Sequence, residues 1–164
     1  MKKEHYLVLL IIVFMIGSCR TDSIKVSDEN TSTKSAALED LSKTLVVPWS
    51  VELNDSTQLM EIIKNPDADM TNLGPNDIID AINFKYPQIK LEWIKQEGNK
   101  AFIKIGDASY LTSSSGTEGA NAYMAEVTFS LTELKGINEV NFNFTDGDHA
   151  RPGTYKREDF KNLK

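Results

Sequence analysis

The chain has 164 residues with 24 acidic and 18 basic side chains, a formal net charge of −6 at neutral pH, one cysteine and two histidines. An acidic chain has no electrostatic attraction for nucleic acid or for an anionic lipid surface. One cysteine excludes an intramolecular disulfide, and so few histidines and thiols leave little for a metal centre.

Residues 1–18 read as a leader. Lys2 and Lys3 precede an apolar run from Tyr6 to Ile16, which is shorter than the about 20 apolar residues that a spanning anchor needs. Ile16-Gly17-Ser18-Cys19 then looks like a lipobox, with Cys19 as the lipidated residue of a bacterial lipoprotein. Two or more acyl chains give stable anchoring where one does not, so membrane contact is expected through lipid on Cys19. Arg20 stands where aspartate favours retention in the inner membrane, which directs the expectation to the outer membrane of the envelope. Removing residues 1–18 takes away Lys2, Lys3 and Glu4, so the mature chain carries −7. It also removes His5, leaving His149 alone and excluding a two-histidine zinc site.

Residues 19–44 contain no aromatic side chain and few apolar ones, the composition of a tether, with a short helix allowed at Ala36–Leu41. Residues 45–164 are long enough for a single domain. Val46–Leu53 and Leu59–Ile63 flank the polar Asn54–Thr57, which predicts a β-hairpin; a helix over Ser56–Lys64 is the competing reading. Asp67-Ala68-Asp69 opens like a calcium loop, but Asn72 replaces the required glycine and Ile78 the twelfth-place glutamate.

Gly74-Pro75-Asn76-Asp77 predicts a helix start, with Ile78, Ile79, Ile82 and Tyr86 on one face and Pro87 as the stop. Ile89–Trp93 and Ala101–Ile105 alternate around Gly98-Asn99, a second hairpin. A polar loop is expected from Asp107 to Gly116, then a capping box in Ser115-Gly116-Thr117-Glu118. Ala120, Tyr123, Met124, Val127, Leu131 and Leu134 give the helix that follows, closed at Lys135-Gly136. Val140–Phe144 is the last expected strand, followed by turns at Asp146-Gly147 and Pro152-Gly153.

Candidate chemistry gathers in the tail. Asp146, Asp148 and His149 have the residue types of a base with its orienting carboxylate, or of a metal site; a turn, in which Asp-Gly supplies the bend and Asp148 or His149 satisfies local backbone groups, is the preferred reading. Arg151, Tyr155, Arg157 and Asp159 suit either a recognition surface for an anionic group or a set of pins for the C-terminal segment, and pinning is the preferred reading. Ser113–Gly119 precedes a helix but lacks both the Gly-Lys-Ser/Thr ending of a phosphate loop and the G-x-S-x-G elbow.

Lys104-Ile105-Gly106-Asp107, the helix around Tyr123–Thr128, Leu131–Ile137, the strand Val140–Phe144 and Gly147–Tyr155 together resemble the GerMN domain of sporulation and germination proteins and cell-envelope lipoproteins. The resemblance implies an α+β fold with a helix–strand–strand–helix–strand core, here with an additional N-terminal hairpin, and a fold similar to ring-building modules. It implies no enzymatic activity and no cofactor, and a protein-binding or self-associating role. A small hydrolase or a metal- or ligand-binding protein built on Asp146, Asp148 and His149 is the alternative.

Overall fold

Residues 45–163 are described by a computed structural model. The expectations for residues 1–44, including the leader, Cys19 and the helix at Ala36–Leu41, lie outside the described residues.

The chain runs β1 (Trp49–Asn54), β2 (Leu59–Lys64), α1 (Pro75–Lys85), β3 (Leu91–Glu97), β4 (Lys100–Ile105), a π-helical turn (Tyr110–Ser114), α2 (Gly116–Leu131), β5 (Glu139–Asn143), β6 (Gly153–Tyr155) and a 3-10 turn (Arg157–Phe160). This is an α+β fold. The first hairpin forms as strands, not as a helix, with Trp49 opposite Lys64 and Asn54 opposite Leu59. Its turn is organised by Asn54, whose Oδ1 accepts from the backbone N–H of Ser56 and of Thr57 at 2.9 and 3.1 Å. An Asx side chain that bonds its own backbone two residues on competes with helix and fixes a turn.

Helix α1 starts as its sequence predicts. Pro75 takes the first position, and the Asp77 carboxylate accepts from the Gly74 N–H at 2.7 Å. Ile78, Ile79 and Ile82 are buried on one face, and Tyr86 ends the helix before Pro87. Asn83 reaches β3, donating to the Leu91 carbonyl at 2.9 Å and accepting from the Leu91 N–H at 2.7 Å. One side-chain amide thus pairs a stretch of sheet edge that would otherwise be open to another strand.

The main sheet has the order β3-β4-β5-β6. Strands β3 and β4 form an antiparallel hairpin around Gly98, whose φ of +58° suits glycine. A bulge between Trp93 and Lys95 turns Ile94 out into solvent. Strands β4 and β5 are parallel, so the chain must cross over between them, and α2 is the crossover. The row Trp93–Ile103–Phe142 and the row Ala101–Val140–Tyr155 face the helices. Leu91, Ala101, Ile103, Ile105, Val140 and Phe142 are almost wholly buried there.

Helix α2 is apolar nearly all round, which places it between two layers. Ala120, Val127 and Leu131 belong to the core against the sheet, and the first hairpin covers α2 from outside. Trp49 packs its ring edge-on against Phe129 at 5.1 Å, and the Val51 N–H donates to Glu126 at 3.2 Å.

Four expectations are corrected here. The Ser115–Glu118 capping box does not form: Ser115 is already helical, with φ −74° and ψ −14°, and its hydroxyl donates to the Leu111 carbonyl at 2.7 Å. The reason is the preceding segment, expected as a loop, which winds into the π-helical turn with Leu111 and Thr112 buried. Helix α2 ends at Leu131, before Lys135, although Gly136 does adopt a left-handed φ of +89°. Finally, Gly153 does not mark a turn but begins β6, which pairs with Phe142 and extends the sheet.

Candidate functional site

Strand β5 delivers the chain to the start of α2, where residues 146–151 bend back across the π-helical turn. Gly147 is required by close approach: a Cβ there would lie 2.5 Å from the Cβ of Thr112. The His149 N–H then donates to the Thr112 carbonyl at 3.0 Å. Buried Ala150 seats the loop, and Gly147 N–H reaches back to the Ala150 carbonyl at 3.3 Å. These contacts set the half-buried His149 ring beside the first turn of α2, with Nδ1 3.2 Å from the Thr117 hydroxyl oxygen.

The ring borders an open groove of about 440 Å³, within the usual range for ligand sites. Its polar rim is Glu118 and Asn121 from α2, Asp148 and Arg151 from the loop, and Asn162 from the tail; Met124 and Phe160 line it with apolar surface. Among the described residues, the five rim side chains form no hydrogen bond or ion pair with the rest of the fold.

The seven candidate residues of the tail therefore separate. Asp148, His149, Arg151 and Tyr155 meet at this groove. Asp146 does not join them; it borders a different hollow with Asp107, Ser109 and Thr112. Among the described residues no group of three or more His, Cys, Asp or Glu side chains converges as metal ligands, so Asp146, Asp148 and His149 are not assembled as the metal alternative requires.

Arg157 lies elsewhere too. It donates to Glu133 at 2.8 Å, to the Phe129 carbonyl at 2.9 Å and to the Thr132 hydroxyl at 2.7 Å, and stacks over Phe129 and Trp49. Tyr155 packs edge-on against Phe142 and its hydroxyl donates to the Arg151 carbonyl at 2.8 Å. Burial, and then the nearby Asp159 carboxylate, push the Tyr155 phenol above its usual range. Asp159 accepts from the Lys156 N–H at 2.8 Å. Tyr155, Arg157 and Asp159 thus pin the tail, and of the four only the Arg151 side chain faces the groove uncommitted.

Two carboxylates escaped the sequence. Glu126, in the middle of α2, is fully buried; its Oε2 accepts from Lys85 at 2.8 Å, from the Tyr86 hydroxyl at 2.9 Å and from the Val51 N–H. Oε1 has no partner among the described residues, and neither does the buried hydroxyl of Tyr123. Burial chiefly, with the Glu126 charge adding to it, raises the Tyr86 phenol far above its usual range. Glu133, just past α2, accepts from Trp49 Nε1 at 2.9 Å, Lys64 at 3.0 Å and Arg157. Burial alone pushes its carboxyl up, but the hydrogen bonds from Arg157, Lys64 and Trp49 outweigh that and hold it at about 2.

Among the described residues no helix is long and apolar enough to cross a membrane. No protein-family model, no characterised protein and no solved structure matches the chain.

Proposed function

We propose that this chain is a non-catalytic, lipid-anchored protein of the bacterial cell envelope, a GerMN-like module that binds a partner protein through the groove beside His149. The leader and Cys19 pattern support the anchor, and Arg20 favours the outer membrane. The binding role is carried by one observation. Among the described residues Glu118, Asn121, Asp148, Arg151 and Asn162 ring an open groove without internal partners, while Tyr155, Arg157 and Asp159 in the same tail are all committed.

The test is a photo-crosslinking residue at Asn121 in the full chain in its native envelope, with a control at exposed Glu92 on β3. A discrete adduct from position 121 alone, lost on Arg151→Ala, is the expected result; an adduct of twice the chain's mass would identify the partner as a second copy. The same adducts from both positions, or none from 121, would overturn the reading.

The alternative is a small hydrolase using Asp148 and His149. It draws on the 3.2 Å approach of the Thr117 hydroxyl to the imidazole, the juxtaposition of a nucleophile and a base. Ester hydrolysis abolished by both Thr117→Ala and His149→Ala would replace the binding reading with this one.

A further inference from the structure

Tyr123 and Glu126 stand three residues apart on α2, so their side chains are neighbours on one face of the helix. Tyr86 closes that face from the end of α1, its ring edge-on to the Tyr123 ring at 5.1 Å. Strand β1 closes it from outside, where the Val51 N–H reaches the carboxylate. The carboxylate is used unevenly. A carboxylate accepts at about four lone-pair positions on its two oxygens. The bonds from Lys85, Tyr86 and Val51 all end on Oε2, and among the described residues Oε1 accepts none. The Tyr123 hydroxyl is the second buried polar atom of this face with no partner among the described residues. Glu126 is 0% exposed and Tyr123 2%, so bulk solvent serves neither. Native interiors fill such positions with ordered water, because a buried donor or acceptor left bare is costly.

The two atoms have complementary needs. The phenol has a proton to give and Oε1 has lone pairs to fill, yet the two do not meet. What joins them must accept from the one and donate to the other. Water does both, and its second O–H can go to the Tyr86 oxygen, which spends its own proton on Oε2 and keeps its lone pairs. That makes three bonds, the number a buried water typically forms. A metal ion has no proton to give Oε1, and the Lys85 ammonium, 2.8 Å from Oε2, already balances the single carboxylate. Burial first, then Tyr86 and Glu126, push the Tyr123 phenol far above its usual range, which keeps it a donor. We propose that α2 carries a built hydration site, one buried water that accepts from Tyr123 Oη and donates to Glu126 Oε1 and Tyr86 Oη. The water completes the carboxylate on which α1, α2 and β1 meet, and so takes part in seating the first hairpin on the helix layer.

A crystal structure of the full chain refined with its solvent, and thermal unfolding of Tyr123→Phe, test this together. The expected result is a density peak about 2.8 Å from all three oxygens. The variant loses a paired donor and no apolar volume, so its melting temperature falls by about 4 °C. A melting temperature that stays or rises would show that the hydroxyl had no partner to lose, and overturns the proposal. Direct contact between Tyr123 Oη and Glu126 Oε1 in the crystal overturns it as well. So does a peak ringed by about six oxygens at about 2.4 Å, which would be a cation.

Discussion

Replacing Glu133 by alanine removes the point where three separate segments meet, and its cost follows from the bonds it accepts. The carboxylate holds Trp49 of β1, Lys64 of β2 and Arg157 of the tail against the end of α2. A hydrogen bond to a charged group contributes about 1.5–3 kcal/mol, but a pair with a partner half in water contributes about 0–1. Lys64 is 52% exposed and belongs to the second kind. Arg157 keeps the Phe129 carbonyl and the Thr132 hydroxyl when the carboxylate goes, so its loss is partial. The Trp49 indole N–H loses the one acceptor it has among the described residues. Together these give a destabilisation of about 2–4 kcal/mol at neutral pH.

The pH dependence has a definite sign. The folded carboxyl sits at about 2 against an ordinary 4.5, so it binds a proton less readily when folded. Its stabilisation is fully present above the ordinary value and is lost as pH falls through the folded value. Urea unfolding of the wild type and of Glu133→Ala, followed by tryptophan fluorescence, should therefore differ from pH 7 down to about 4.5 and converge as the pH drops towards 2. Equal midpoints at pH 7 would refute the three-way clamp. A gap constant across the whole range would show that the side chain acts through packing and not through its charge.

Two further substitutions probe neighbouring features. Glu126→Ala leaves Lys85, the Tyr86 hydroxyl and the Val51 N–H facing a buried void, and should cost about 3–5 kcal/mol in thermal or urea unfolding, more than Glu126→Gln, which keeps an acceptor. Gly147→Ala forces a methyl against Thr112 and should cost about 1–3 kcal/mol, with the largest chemical-shift changes at Thr112 and His149; changes confined to residue 147 would contradict the tight seat of the loop.

What the sequence disclosed depended on whether the signal was local. Pro75 with Asp77, the isoleucines of α1, and the alternation on either side of Gly98 are short-range patterns, and the elements they predict are present. The π-helical turn was hidden because Thr112, Ser113 and Ser114 carry the polarity of a loop, while it is buried Leu111 and Thr112 that hold the turn. Strand β6 has only three residues, and its existence depends on Val140, Asn141 and Phe142 lying alongside. Glu126 was passed over because one apolar stripe accounted for α2 as a half-exposed helix. Ala122, Ala125 and Phe129 form a second stripe, at the same spacing, and were the available sign that α2 is covered on both sides. The candidate site was half legible: chain proximity grouped seven tail residues, but the alternation of committed and free side chains along 146–162 depends on what α2 and β5 present to each.

Strand β1 runs antiparallel to α2. Trp49 meets Glu133 at the far end of the helix, Val51 meets Glu126 midway, and the hairpin tip meets Glu118 and Asn121 at its start. A helix of 16 residues is about 24 Å long. The chain thus joins the domain at one end of α2 and the groove opens at the other. Whatever surface holds the N-terminal segment, β1 works as a spacer, giving the binding end a built-in reach of about 24 Å from the point of attachment.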